Sequence, residues 1–165
     1  MKLITPKNVK VFSSSFHGLF AGVVVLALLA KDSSGHMHMY LQLILWAISV
    51  SCTCYFGWLL GSWYVPIKGE RWWFVPYIAT PIISLFSALA ASSLFMLVID
   101  VMASAQHAHD LVGGGINIGR VIYFVFYGGF FVGLGVFVSI LPVTIILGIG
   151  VALYLHKFGG YKDVL

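Results

Sequence analysis

From Val11 to Ala30 the chain carries no Asp, Glu, Lys or Arg, and the same holds for Met39–Gly61, Tyr77–Ile99 and Val121–Leu155. About 20 apolar residues in a helix are enough to cross the hydrocarbon core of a bilayer. Runs of this length therefore restrict the chain to an integral membrane protein. Composition agrees: 61% of residues are hydrophobic and 8% charged, against about 25% charged in an ordinary globular chain. Too little polar material remains to coat a soluble surface. A soluble enzyme, a disordered tail and a nucleic-acid-binding domain are excluded, despite the net charge of +4.

The fold class expected is all-α, a single four-transmembrane-helix bundle with spans at about 11–30, 39–61, 77–101 and 129–155. Lys2, Lys7 and Lys10 before the first span resemble the start of a signal peptide, but Leu28 stands where a cleavage site before Ala30 wants a small residue. The segment reads as a membrane anchor. Trp58 and Trp63 near the end of the second span suit a membrane interface. Tyr64–Trp73, with Pro66, Lys68, Gly69, Glu70 and Arg71, reads as a short interfacial turn. Pro81 is expected in the first turn or so of the third span, where a missing N–H costs little. The loop expected from Ser104 to Gly119 contains Gly113-Gly114-Gly115 and lacks the strand, lysine and helix order of a phosphate loop.

Val121–Leu155 is too long for one perpendicular span, because a straight helix of that length runs roughly 50 Å against about 30 Å of hydrocarbon. The reading adopted is an interfacial segment at 121–127, a bend near Gly128-Gly129, and one long tilted span that Pro142 can kink. Five spans is the alternative. Seven of the nine Lys and Arg fall in the N-terminal tail, the Tyr64–Trp73 turn and the C-terminal tail. The positive-inside rule then makes both termini cytoplasmic, in the cell (inner or plasma) membrane, with the two other links outside.

Small residues recur every fourth position on each span. Gly18 and Gly22, Gly57 and Gly61, Ser84, Ala88 and Ser92, and Gly129 and Gly133 each share a helical face. Such GxxxG-type faces let membrane helices pack closely, and they are the expected packing sites within the bundle, against other subunits or in self-association.

Chemical motifs are sparser, and no set of residues reads as catalytic. Cys52 and Cys54 point about 200° apart on a helix, so a disulfide between them is strained and they read as packing residues. His36 and His38 with Met37 and Met39 lie on the first outward link, and His107, His109 and Asp110 on the second. Imidazole with thioether suits copper, and imidazole with carboxylate suits zinc, so convergence of these links would make a metal site. His17 and His156, nearer the cytoplasmic ends, could ligate a haem, with Gly18, Gly22 and Gly148 making room. The simpler reading is that no cofactor binds and these histidines are interfacial or join helices by hydrogen bonds. Asp100 ends the third span at its outward side.

The function expected is a non-catalytic membrane subunit of a larger assembly of secretion, conjugation, transport or respiratory type, in contact with lipid and other membrane subunits and with no nucleic acid. Alternatives are a metal-handling or redox membrane protein and an oligomeric channel or transporter. The layout of four spans with both ends inside also resembles that of immunity proteins against pore-forming bacteriocins, which implies a membrane binding role; many families share that layout.

Overall fold

A computed structural model describes residues 8–31, 39–64, 74–108 and 118–158. Every regular element among them is helical. Helix α1 spans Val9–Lys31, α2 Met39–Leu59 and α3 Phe74–Ala108. A single 3-10 turn, Gly61–Tyr64, follows α2. The short α4, Ile118–Ile122, runs into a π-helical stretch, Tyr123–Gly128, and then into α5, Gly129–Phe158. Four helical stretches are long and apolar enough to cross a membrane: Val9–Ala30, Met39–Leu59, Tyr77–Ala103 and Tyr123–Leu155. Helices suit such sequences because each backbone N–H and C=O is satisfied within its own segment.

Three details differ from expectation. Helix α3 continues past Val101 to Ala108, so the expected loop at Ser104–Gly119 begins later. Ala103, Ala105 and Gln106 explain this: alanine is the strongest helix former and glutamine follows closely. The same helix starts at Phe74, which puts Pro81 inside it rather than in the first turn. Pro81 therefore cannot supply the helical hydrogen bond to the Tyr77 carbonyl. At Gly128-Gly129 the chain keeps its helical winding, with Gly129 at φ −61° and ψ −42° and its N–H bonded to the Phe124 carbonyl. The irregularity there is a widening to five-residue hydrogen bonds over Tyr123–Gly128, so segment 121–127 joins the last span as helix.

The helices pack as two antiparallel pairs, α1 with α2 and α3 with α5, joined through α2 and α3. Close approach in each pair occurs at glycine. A Cβ built on Gly57 would lie 3.0 Å from the Ser13 carbonyl oxygen, and one on Gly61 2.9 Å from Lys10 Cα. On the other pair, a Cβ on Gly133 would lie 2.8 Å from Leu89 Cα, and one on Gly129 2.9 Å from Ser93 Cβ. Two polar bonds tie α1 to α2: Ser14 Oγ donates to the Cys54 carbonyl at 2.9 Å, and Trp46 Nε1 to the Gly22 carbonyl at 3.2 Å. Other hydroxyls are spent within their own helices. Thr53 donates to the Ser49 carbonyl and Ser87 to the Ile83 carbonyl, each at 2.6 Å, the usual way such groups are satisfied in an apolar helix.

The best-buried part of the bundle is one end of it. Val9 at the start of α1, Tyr64 after α2, Ala79 and Ile83 near the start of α3, and Val151 and Leu155 near the end of α5 form one cluster. Phe12 of α1 stacks on Tyr154 of α5 with ring centroids 6.1 Å apart, closing the fourth side there.

Candidate functional site

A chain of polar side chains crosses this apolar cluster. His17 is on the third turn of α1, and its side chain is held inward because Gly57 and Gly61 bring the end of α2 against Ser13 and Ser14. The 3-10 turn that follows swings Tyr64 back into the bundle. His17 Nε2 and the Tyr64 hydroxyl are 2.7 Å apart, and the same hydroxyl is 2.8 Å from Thr80 Oγ1 of α3. His17 and Thr80 are 0% exposed and Tyr64 2%. Three elements are thus joined by two short hydrogen bonds, and Tyr64 at their centre belongs to the apolar cluster with Val9, Ile83 and Leu155. Phe16 meets the imidazole edge-on at 5.4 Å between centroids.

Proton accounting restricts how the chain is wired. A neutral imidazole has one N–H donor and one acceptor nitrogen. If Tyr64 donates to Nε2, the imidazole proton is on Nδ1 and Thr80 can donate to the phenol oxygen. If Nε2–H donates to the phenol, Tyr64 donates to Thr80. In both arrangements Nδ1 is left over, and among the described residues Nδ1 is buried with no hydrogen-bond partner. Ser13 Oγ, one turn earlier on α1, is in the same position. Native proteins leave few buried polar atoms unsatisfied, so two on one helical face single out this site. Burial pushes the Tyr64 phenol pKa well up, an effect that the hydrogen bond to Thr80 only partly offsets. The phenol therefore stays protonated at neutral pH.

Beyond this chain, toward the other end of the bundle, a cavity of about 140 Å³ lies between the four long helices. Ser84, Ala88 and Ser92, the small-residue face of α3, line it together with Phe20 of α1, Thr53 of α2 and Val136 of α5.

The other residues singled out in the sequence are distributed as follows. Gly18 faces Cys54, whose Sγ a Cβ there would strike, and Gly22 faces Trp46 and Val50. Cys52 is buried, Cys54 half-buried, and both are free thiols. Asp100 is buried at the far end of α3 and has a partner. His36, His38, His109 and Asp110 lie outside the described residues, as do the side chains of His107, in the last turn of α3, and His156, on α5. Among the described residues no three of His, Cys, Asp and Glu gather in a metal-binding group. For a haem, the observation that bears is that His17 Nε2 is engaged by Tyr64 and the residue is fully buried.

Sequence reasoning picked out His17 but neither of its partners. Tyr64 falls at the start of what reads as a polar interfacial turn, and Thr80 precedes a proline expected at a helix start. The usable signal was Gly57-x-x-x-Gly61, which predicts a close backbone approach just before Tyr64. The chain matches no family model, no curated protein and no solved structure.

Proposed function

We propose that the chain is a non-catalytic, multi-pass subunit of a larger membrane assembly, of secretion, conjugation, transport or respiratory type. In this reading it is inserted in the cell membrane through four spans with both termini in the cytoplasm. The observation that carries the reading is an exposed aromatic face on the π-helical stretch and the start of α5. Tyr123 stacks on Tyr127 at 5.4 Å between centroids, and Tyr127 meets Phe131 at 5.6 Å. All three are about 60% exposed, and Phe126 and Phe130 are exposed beside them. Aromatic residues are enriched where proteins meet, and Tyr at the level of lipid headgroups serves contact with a neighbour as well as with lipid.

The distribution of basic residues supports the orientation, since the buried end of the bundle is the end to which the Lys- and Arg-rich segments attach. Extraction in a mild detergent followed by identification of co-purifying proteins tests the assembly. A stoichiometric membrane partner is expected, and Tyr123→Ala with Tyr127→Ala and Phe131→Ala should weaken its recovery while leaving thermal stability unchanged. Wild-type protein that purifies alone and monomeric under all extraction conditions contradicts the reading.

A further inference from the structure

Among the described residues the buried imidazole has a neutral partner on one nitrogen and none on the other, which matters when a proton is added. We propose that His17, Tyr64 and Thr80 form a proton-operated clasp: with His17 neutral it holds α1, the 3-10 turn and α3 together, and proton uptake at His17 releases them.

In the neutral state His17 Nε2 shares one proton with the Tyr64 hydroxyl at 2.7 Å, and the hydroxyl shares a second with Thr80 at 2.8 Å. Addition of a proton from water turns both ring nitrogens into donors. Nε2–H still donates to the phenol oxygen, and the phenol then donates to Thr80. Nδ1–H has no acceptor among the described residues, where Nδ1 is buried without a partner. The new positive charge also sits on a ring that is 0% exposed and meets Phe16 edge-on, where an unpaired charge is strongly disfavoured.

No described group compensates for it. On α1 the near cation is Lys10, whose Nζ stands 4.9 Å over the Trp58 ring. The α2 side presents Cys54 next to Gly18, the 3-10 turn presents Tyr64, and α5 presents Tyr154 stacked on Phe12. Helix α3 contributes Thr80 and carries no ionisable side chain from Ile78 to Ile99. Asp100 is the only acid among the described residues, and helical rise puts it roughly 30 Å along α3 from Thr80. An imidazolium at position 17 is relieved only by water, and water reaches it when this end of the bundle separates. The inference does not depend on which partner the chain binds.

The experiment is thiol labelling of Ser13→Cys, in protein also carrying Cys52→Ala and Cys54→Ala, in lipid nanodiscs between pH 7.5 and 5.5. Ser13 is fully buried, so labelling reports opening. The rate is divided by that of the same protein with His17→Gln, which cancels the pH dependence of the reagent. The ratio is expected to rise as pH falls, by up to about tenfold per unit where one proton is taken up on opening. A ratio that does not change with pH overturns the clasp. If these variants fail to fold, amide exchange of residues 9–17 in the unaltered chain gives the same reading. Exchange at pH 5.5 faster than intrinsic rates dictate supports it, and exchange that follows intrinsic rates overturns it.

Discussion

His17 and Tyr64 are 47 residues apart in the chain, and their side chains meet through a 2.7 Å hydrogen bond in the most buried part of the bundle. The bond joins the first helix to the turn after the second, and through Thr80 to the third. One phenol therefore fixes the relative positions of three elements.

Tyr64→Phe keeps the ring and removes both bonds. An interhelical hydrogen bond in a membrane protein averages about 0.6 kcal/mol, but stranding a buried polar group costs about 1–3 kcal/mol. The substitution leaves both nitrogens of His17 without a partner among the described residues, so the larger figure governs. Loss of about 1–3 kcal/mol is expected, read as a lowered thermal midpoint in detergent. Thr80→Val removes one bond of the chain and should cost less.

The alkaline side offers a separate check on the same phenol. Burial raises the Tyr64 pKa above its ordinary value of 10.0. A group that holds its proton more tightly when folded contributes stability that is complete below the unfolded pKa and is lost as pH rises toward the folded one. The difference in unfolding free energy between wild type and Tyr64→Phe should thus be constant from about pH 7.5 to 9 and shrink above about pH 10. Thermal unfolding of both proteins at matched pH measures it, and the subtraction removes the contribution of other tyrosines and lysines.

Glycine contacts give a paired prediction on one helix. A Cβ at Gly133 meets Leu89 Cα at 2.8 Å and the Ala88 carbonyl oxygen at 2.9 Å, whereas one at Gly135 meets nothing within 4 Å. Gly133→Ala should therefore push α5 off α3 and lower stability by about 1–3 kcal/mol, the cost typical of overpacking. Gly135→Ala should be neutral or stabilise by roughly 0.5–1 kcal/mol, because glycine is a poorer helix former than alanine. Equal effects at the two positions would show that the face of Gly133 is not a helix contact.

The apolar runs were legible because hydrocarbon imposes a minimum length that few other constraints produce. That is why Val9–Ala30 and Met39–Leu59 lie close to where the sequence alone puts them. Helix ends were less legible. Ser104 to Ala108 is polar enough to read as a loop, yet its alanines and Gln106 extend α3. Gly128-Gly129 marks an irregularity in the last span, and the structure has the wider winding of Tyr123–Gly128 end there. The His17 chain was hidden for another reason. Hydrogen-bond partners 47 and 16 residues apart leave no local periodicity, and Tyr64 reads like the interfacial tryptophans around it until the close approach at Gly57 and Gly61 is known.

The central claim is insertion through four spans with both termini on the cytoplasmic side, and accessibility labelling tests it most directly. Single cysteines at Ser34, Gly69 and Gly114, in protein lacking Cys52 and Cys54, are exposed to an impermeant thiol reagent in intact cells. The account predicts labelling from outside at positions 34 and 114, and at position 69 only after the membrane is permeabilised. Labelling of position 69 in intact cells would contradict it.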